Sequence, residues 1–289
     1  MLQLQHGSAR CMIWWADPPE PGVGRIGAYE AETQADGVAV LLDAAEQLRA
    51  RGCTQIVGPM DGSTWHAYRF VTDLTGDAET ERPAFAMEPW QPAVYPQHWE
   101  AAGFAPVAEY VSAFAPDPSR RDPRRAALEQ RAADAGLRLA PMEDVEGALA
   151  FIYRVSLASF AENYLYAPIS ETEFRRLYEP ALPLIDPRLV LLAHGPDGPA
   201  GFAFGLPDVA QAQRGEPIDT FIVKTVAVMP AARGLGLGSL LTDRLHEAGT
   251  SIGYTSAIHA LMHAGNASRK ISEKSAHVFR RYHLYGVET

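Results

Sequence analysis

Lys224 to Gly249 reads KTVAVMP, then AARGLGLGS, then LLTDRLHEAG, and this stretch decides the fold. The residues from Thr220 to Val228 are mostly β-branched or apolar and are followed by Pro230, which indicates a strand that ends there. In the last piece leucines recur at helical spacing, so we expect a helix whose apolar face packs on that strand. The sequence therefore predicts a strand, a glycine-rich turn and a helix in direct succession.

The glycine-rich turn indicates an anion site. Gly234, Gly236 and Gly238 leave the backbone bare where the helix begins, and the unpaired N–H groups of a helix N-terminus attract anions. A Walker loop would need lysine followed by serine or threonine after the last glycine, and the dinucleotide fingerprint would need glycine at Ser239. The chain has neither. The interpretation that remains is a cradle for the pyrophosphate of another ligand.

Arg233, Gly236 and Gly238 form the pattern Arg-x-x-Gly-x-Gly directly after the strand and its proline. This pattern resembles the acetyl-CoA signature of the GNAT superfamily of N-acetyltransferases. The resemblance covers residues 137–289 well and residues 11–114 loosely. It implies an α+β fold, a three-layer α/β arrangement with a mixed, mostly antiparallel sheet flanked by helices. It also implies acetyl-CoA as the co-substrate.

The N-terminal half repeats this order in a weaker form. Gln34, Gly37 and Ala39 fall where the arginine and the last two glycines stand in the C-terminal copy. Asp36 places a carboxylate where a phosphate would sit, and like charges at close range repel. We therefore expect a degenerate, incomplete GNAT-like copy that is kept for packing or for shaping the substrate site.

The two halves meet at a proline- and arginine-rich stretch from Ala115 to Arg125, which we interpret as an extended, solvated linker. Three segments are predicted on this basis. Residues 1–115 form the degenerate GNAT-like domain, residues 116–136 form the linker and a helix, and residues 137–289 form the GNAT acetyltransferase domain.

Composition excludes some classes of function. The formal net charge of -10 argues against non-specific binding to nucleic acid, which needs a basic face, and it is compatible with a cationic amine as substrate. The two cysteines, Cys11 and Cys53, are too few for a disulfide framework and suggest a reducing compartment. No apolar run is long enough to span a bilayer. We therefore expect a cytoplasmic protein without membrane or nucleic-acid partners and without a metal site, and a homodimer stays open.

The resemblance assigns most acetyl-CoA contacts to the backbone. Val226, Ala227 and Val228 would hydrogen-bond the pantetheine arm like an added strand. Asn266 would contact the same arm, and Ser268 would meet a phosphate where the next helix starts. The N–H groups that would surround the pyrophosphate belong to consecutive residues of the turn and helix start: Arg233, Gly234, Leu235, Gly236, Leu237, Gly238 and Ser239.

Several of these assignments have an ordinary structural alternative. Val226 and Val228 could simply be buried strand residues, and both interpretations can hold together because side chains and backbone point in different directions. Arg233 could be a surface residue of the loop. Asn266 could cap the helix that follows it.

The implied chemistry is the direct attack of a neutral amine on a thioester. A base must remove the proton of the amine, and His263 is the candidate, with His259 as the other imidazole of that strand, although a strand histidine is often structural. The resemblance implies a tyrosine that protonates the leaving thiolate, but Ser272 stands at that position. Tyr282 or Tyr285 could replace it only if the helix register shifts, and water is the remaining donor.

Two functions are compatible with these features. The first is an acyl-CoA-dependent N-acyltransferase that transfers an acetyl group from acetyl-CoA to a primary amine of a small molecule or a protein. The second is a non-catalytic acyl-CoA-binding or scaffold module, which the missing tyrosine and the degenerate first copy support. The cradle is testable, because Gly236→Glu is predicted to abolish CoA binding while leaving the fold intact.

Overall fold

The computed structural model describes residues 1–16, 20–72 and 82–288. The strands of the described residues are β1 (Leu2–His6), β2 (Ala9–Trp14), β3 (Val23–Glu30), β4 (Gln55–Gly58), β5 (Phe70–Val71), β6 (Ala105–Ala115), β7 (Arg138–Pro141), β8 (Val190–Gly195), β9 (Gly198–Pro207), β10 (Thr220–Val228), β11 (Ser256–His263) and β12 (His277–Glu288). The helices are α1 (Gln34–Arg49), α2 (Tyr95–Ala101), α3 (Arg125–Asp134), α4 (Val145–Phe160), α5 (Glu171–Tyr178), α6 (Val209–Gln213), α7 (Leu237–Ser251) and α8 (Ala267–Ser272). Short 3-10 turns span Glu179–Leu184, Pro187–Leu189 and Pro230–Ala232.

Local capping signals account for where the helices near the site begin. The Asp144 carboxylate accepts a hydrogen bond from the N–H of Gly147 at the start of α4, and the Ser170 hydroxyl accepts one from Glu173 at the start of α5. α7 differs, because its N-cap residue is Gly236 and no side chain caps the helix. The first-turn amides of α7 are therefore left without an intrahelical acceptor.

All twelve strands of the described residues belong to one sheet. Its order is β1-β2-β3-β4-β12-β6-β11-β10-β9-β8-β7, and the short β5 pairs with β12 off this path. Only the β3–β4 and β10–β11 pairs are parallel. The predicted fold class, a mixed and mostly antiparallel sheet flanked by helices, is confirmed.

The two halves of the chain exchange their last strands. β6, the final strand of the N-terminal half, lies between β11 and β12 of the C-terminal half. β12, the final strand of the chain, lies in turn between β4 and β6. The predicted boundary at residue 115 separates the elements of the two halves along the chain. In the sheet, however, strands from both sides of this boundary pair with one another. The three segments as separate folding units stay a prediction.

Separate core clusters lie beneath the helices. Under α4 and α5, Phe151, Ile152 and Phe174 pack with strand residues such as Ile222. On the face covered by α7, Leu237, Leu241 and Leu245 pack with another set of strand residues, among them Phe221 and Val223. A cluster built on α1 and α2 fills the N-terminal half, with Leu41, Leu48 and Trp99 fully buried in it.

The stretch between the halves is irregular but not fully solvated. The N–H of Asp122 donates to the Asp243 carboxylate at 2.7 Å, and Arg125 donates to Glu247 at 2.7 Å. In α3, Leu128 is buried in a small cluster with Leu240 of α7. The connector is therefore exposed over much of its length, and its C-terminal end at Asp122 and Arg125 docks on α7, followed by the apolar contact of α3.

The described residues contain neither a membrane-spanning helix nor a metal-binding cluster. No helix among them is long and apolar enough to cross a membrane. No group of three or more histidine, cysteine, aspartate or glutamate side chains among them could hold a metal ion. Both cysteines, Cys11 and Cys53, are buried and free.

Candidate functional site

β10 and β11 run side by side only over the first half of β10. Their parallel pairing extends from Thr220 opposite Ser256 to Val223 opposite His259. Beyond that point β10 pairs with β9 alone and β11 with β6 alone, and both strands have an irregularity where they part. Within residues 1–16, 20–72 and 82–288, the edge of β10 from Lys224 to Val228 therefore has no strand partner on the β11 side.

This open edge places three predicted contact residues beside a gap in the sheet. Val226 and Val228 are half-buried and pack at the margin of the cluster under α7, and Ala227 is buried in the cluster under α4. Their side chains thus pack in or against the core, which agrees with the alternative that these are ordinary strand residues. Their backbone borders the gap, where an extended ligand arm could add to the strand edge. The pantetheine contact of Val226, Ala227 and Val228 stays a prediction.

The glycine turn follows directly at the far end of this edge. Gly234 and Gly236 have φ angles of 85° and 80°, in the left-handed region that favours glycine. α7 starts at Leu237, and Gly238 and Ser239 complete its uncapped first turn. A side chain at Gly238 would begin 3.0 Å from the Ile271 side chain of α8. The backbone thus offers amides and a helix dipole where a phosphate is predicted.

The surroundings of the turn include groups that sequence reasoning missed. Lys274 Nζ donates to Ser239 Oγ at 3.1 Å and lies 3.5 Å from the Asp122 carboxylate. Leu128 of α3 covers Gly236, since a Cβ there would lie 2.5 Å from its Cδ2 atom. Lys274 supplies a cation for a phosphate, and the linker helix forms a wall. No local motif marks either residue, because both are brought to the turn by tertiary packing.

Arg233 does not point into the turn. Its Nη1 lies 2.9 Å from the Glu162 carboxylate, and its Nη2 donates to the Ser159 carbonyl at 3.2 Å. The side chain is exposed and ties the turn to the end of α4. Its phosphate role stays a prediction for the side chain and for its N–H, which donates to the Pro230 carbonyl at 3.2 Å.

Asn266 and Ser268 lie at the start of α8. Asn266 is the N-cap residue, but its side chain makes no capping hydrogen bond, so its amide is available to a ligand. Ser268 is half-buried in the first turn of the helix. The neighbouring Arg269 pairs with Glu273 at 3.0 Å. Both ligand contacts stay predictions.

His263 ends β11 on the far side of the gap from β10. Its Nδ1 accepts a hydrogen bond from the N–H of Gly265 at 3.0 Å, and its ring packs edge-on against Tyr110. Burial, followed by the charge of Arg69, lowers the pKa of His263 below its usual 6.5. The imidazole is therefore neutral near pH 7. Because Nδ1 accepts the Gly265 N–H, the proton of the neutral ring is on Nε2, and a further proton could be taken up only at Nδ1. Its catalytic role stays a prediction.

Tyr282 is held inside the sheet. It is fully buried on β12, and its hydroxyl donates to the Glu88 carboxylate and lies 3.0 Å from Ser112 Oγ. Burial and the Glu88 charge raise the pKa of Tyr282 well above 10. β6 separates β12 from β11, so this geometry favours a structural role. The role of Tyr282 as proton donor stays a prediction that these contacts do not favour.

A buried chain of three polar side chains lies where β10 and β11 part. His246 Nε2 of α7 and His259 Nε2 of β11 are 2.8 Å apart, and His259 Nδ1 lies 2.8 Å from Ser272 Oγ. All three residues are at most 3% exposed. Ser272, at the position of the missing tyrosine, is thus the end of a hydrogen-bonded chain rather than a lone serine. Sequence spacing could not pair residues from a helix, a strand and a second helix.

The histidine pair makes stability depend on pH. Burial lowers the pKa of His259 to about 4 and that of His246 well below 6.5. The unfolded chain therefore binds more protons, so this stability is complete above about pH 6.5 and is lost as pH falls toward 4. When the pH falls from 7.5 to 4.5, the free energy of unfolding should drop in both proteins. The drop in His259→Gln should be smaller than the drop in wild type by about 2 to 3 kcal/mol. Urea unfolding at both pH values measures this.

The exposed His6 provides the control for that measurement, since His6→Gln removes a histidine without touching the buried pair. The control should follow wild type at both pH values. Equal losses in His259→Gln and wild type would contradict the assignment of the effect to the buried pair.

The corresponding gap in the N-terminal half is filled by the chain itself. β3 and β4 pair in parallel only from Val23 to Arg25. Beyond that, the N–H of Met60 donates to the Ile26 carbonyl at 2.8 Å, and the N–H of Ala28 donates to the Asp61 carboxylate at 2.6 Å. The edge that is open in β10 is therefore occupied in β3.

The turn of the N-terminal half that corresponds to the glycine turn carries a side-chain carboxylate, that of Asp36. The Asp36 carboxylate accepts hydrogen bonds from the N–H and hydroxyl of Ser8, which hold its pKa below the usual value. A Cβ at Gly37 would lie 2.2 Å from the Tyr29 hydroxyl, so the backbone is also closed to a ligand. The expectation of a degenerate copy thus has a physical basis in charge and in space.

Comparison with solved structures identifies the fold. A GCN5-related N-acetyltransferase from Sphaerobacter thermophilus superposes with a TM-score of 0.54 at 14% identity, covering 97% of this chain and 76% of the other. A tandem GNAT protein from the clavulanic acid biosynthesis pathway gives 0.50 at 15% identity, covering 98% and 79%.

A third similar structure is the glucosamine N-acetyltransferase region of a fungal multi-domain GH3 β-N-acetylglucosaminidase. It gives a TM-score of 0.57 at 14% identity and covers 96% of this chain, which spans 31% of that longer protein. No family model matches the sequence, and no curated protein matches it significantly. The parting strands, the uncapped glycine turn and these superpositions together show that the chain has the fold of the GCN5-related N-acetyltransferases.

Proposed function

We propose that this chain is an acyl-CoA-dependent N-acyltransferase, which transfers an acetyl group from acetyl-CoA to a primary amine by direct attack. The observation that carries the proposal is the unpartnered edge of β10 leading into the uncapped start of α7. An extended arm with phosphates at one end matches such an edge followed by such a turn. In the N-terminal half, the corresponding strand edge is bonded to Met60 and Asp61, and the corresponding turn carries the Asp36 carboxylate. We therefore expect one acetyl-CoA per chain.

In this proposal, different groups around the gap act as the base, stabilise the oxyanion and supply the proton to the leaving thiolate. The amine must lose its proton before it attacks, and His263 at the end of β11 is the proposed base, which would take the proton at Nδ1 after the Gly265 N–H releases that atom. Backbone N–H groups at the irregularity between Val223 and Thr225 would stabilise the oxyanion that develops. The leaving thiolate needs a proton. Ser272, at the position of the missing tyrosine, is buried and hydrogen-bonded to His259, and a serine hydroxyl is a poor acid for a thiolate, so water is the proposed donor.

A second candidate function is acyl-CoA binding without transfer. It is favoured by one observation, the burial of Tyr282 in bonds to Glu88 and Ser112, which removes a tyrosine from the gap. For the first function, the acceptor that we propose is a primary amine of a small molecule or of a protein.

Titration calorimetry with acetyl-CoA and a thiol-release assay with an amine panel test both functions. Binding of one acetyl-CoA per chain together with amine-dependent release of free CoA is the result expected for the transferase. Binding without release across the panel would favour the second function. Absence of binding would end both, and two acetyl-CoA molecules per chain would overturn the account of the filled N-terminal gap.

A further inference from the structure

The gap between β10 and β11 is bordered by two cationic side chains and a histidine. Arg69 reaches it from the N-terminal half, Lys224 lies on β10 where the strands part, and the neutral His263 lies on β11. Burial first, and then the charge of Arg69, lowers the pKa of Lys224 and of His263. Among the residues that the structure describes, no carboxylate forms an ion pair with Arg69 or Lys224. The site is thus locally basic in a chain whose formal net charge is -10.

Arg69 is held by aromatic rings and a carbonyl rather than by an anion. Its side chain lies between Tyr68 and Tyr110, with its guanidinium carbon 3.9 Å and 4.4 Å from the ring centres, and it is 8% exposed. Nη1 donates to the Leu261 carbonyl at a long 3.4 Å, and Nε is buried without an acceptor. Across the ranges that the structure describes, no carboxylate forms an ion pair with it.

Another buried arginine shows the contrast. Arg280 is 1% exposed, and its Nε lies 3.3 Å from the fully buried Glu88 carboxylate. A buried charge is costly unless a partner compensates it, and Arg280 has such a partner within the chain. Arg69 has two aromatic faces and a carbonyl, which leave its charge without an anion.

Lys224 adds a second unbalanced cation. Its side chain is half-buried, and in the described part of the chain no hydrogen bond or ion pair joins it. Burial and then the Arg69 charge lower the pKa of Lys224 to about 8. Two cations near each other without an acid repel, and a bound anion would relieve that repulsion.

The anion is separate from the phosphates predicted at α7. Lys224 and Val228 stand at opposite ends of the open edge, about 13 Å apart at the rise of a strand. The glycine turn follows Val228, so the phosphates lie at one end and Lys224 at the other. A thioester placed along this edge would have the basic cluster on its acceptor side.

We propose that Arg69 and Lys224 bind an anionic group of the acceptor, which is therefore a primary amine that also carries a carboxylate or a phosphate. This proposal rests on the proposed acyltransferase function and names its substrate class. A cationic amine alone would be repelled by the two side chains, whereas an amine with an anionic tail is held by that tail. His263 would remain the proposed base for this ammonium, through Nδ1.

Matched acceptor pairs test the substrate class. β-Alanine is compared with propylamine for the carboxylate, and O-phosphoethanolamine with ethanolamine for the phosphate, by acetyl-CoA-dependent thiol release. We expect kcat/KM to be at least 10-fold higher for one or both anionic members, and the pair with the larger ratio identifies the anion. Ratios near one in both pairs, with amines turned over, would overturn the inference and leave the acyltransferase function standing.

Two variants and a control tie the preference to the site. Lys224→Gln should reduce the preference ratio several-fold, mainly through KM, and Arg69→Gln should reduce it further if circular dichroism shows that it folds. Arg120→Gln, which removes the same charge from an exposed linker position, should keep the wild-type ratio. An unchanged ratio in Lys224→Gln would overturn the inference even if Arg69→Gln does not fold.

Failure of the transferase function is detected separately. If acetyl-CoA does not bind, calorimetry with β-alanine and O-phosphoethanolamine still probes the anion site in wild type and in Lys224→Gln. Binding that Lys224→Gln weakens at least 5-fold would support the site without the transfer reaction. Equal binding in both proteins, or none in either, would overturn it.

Discussion

Replacing Ser239 with glutamate is expected to weaken acetyl-CoA binding at least 100-fold with no loss of stability. Ser239 is in the uncapped first turn of α7, where the predicted pyrophosphate would meet the backbone amides. A carboxylate there occupies the anion site, and two unit charges at about 4 Å repel by roughly 4 kcal/mol in a partly solvated site. Lys274, which donates to Ser239 at 3.1 Å, offsets part of this repulsion. A carboxylate in the first helical turn is otherwise favourable to the helix.

Ser239→Gln is the matched control, because glutamine has the size of glutamate without its charge. We expect it to keep most of the affinity, with less than a 10-fold loss in calorimetry, and thermal unfolding should confirm that both variants are folded. If Ser239→Glu binds acetyl-CoA as wild type does, the phosphates lie elsewhere and the proposed function loses its main support.

Gly236→Glu, the variant that the sequence suggested, is a poorer test. Gly236 has a φ of 80°, and a Cβ there would lie 2.5 Å from the Leu128 side chain of α3. Any side chain at this position would therefore strain the turn and require the Leu128 side chain to move. That Gly236→Glu leaves the fold intact stays a prediction, and loss of binding in this variant would not distinguish the effect of charge from that of strain in the turn.

A chain that begins at residue 116 is expected to lose both the cooperative fold and acetyl-CoA binding. It lacks β6, which lies between β11 and β12 and pairs with both along most of its length. Without β6, the outer edge of β11 is unpaired, and β12 also lacks its other neighbours β4 and β5. Urea unfolding followed by circular dichroism should show no cooperative transition, and calorimetry should show no acetyl-CoA binding.

The full chain cut within the linker is the control for that truncation. A protease site introduced at Asp117–Arg120, which is largely exposed, separates the two halves covalently but leaves every strand present. Because β6 and β12 are exchanged, the cut halves should stay associated in gel filtration and bind acetyl-CoA within about 3-fold of the intact chain. A fragment from residue 116 that folds cooperatively by itself would contradict the importance of the exchange.

The sequence predicted well where structure is local. β10, the glycine turn and α7 follow one another along the chain, so apolar spacing and bare glycines were sufficient to place them. The weak N-terminal copy was predicted from Asp36, whose bonds to Ser8 now give the reason.

The sequence was less informative about the catalytic groups. Tyr282 was a candidate by residue type alone, and its burial against Glu88 could not be read from its position in the chain. Ser272 was counted as a departure from the family pattern, and its link through His259 to His246 needed three elements in contact. Arg69 was not considered at all, since it comes from the half that was expected to be degenerate.

By itself the sequence determined the strand–turn–helix unit and the uncapped amides where an anion is predicted, because spacing, chain direction and unpaired amides are properties of neighbouring residues. The tertiary structure alone decided that β6 and β12 are exchanged and that the N-terminal gap is filled by Met60 and Asp61. It also decided that Arg69, of the N-terminal half, reaches β11 at the Leu261 carbonyl. Strand pairing and side-chain contacts join residues far apart in the chain, and a periodic pattern states that a face is buried without stating against which partner.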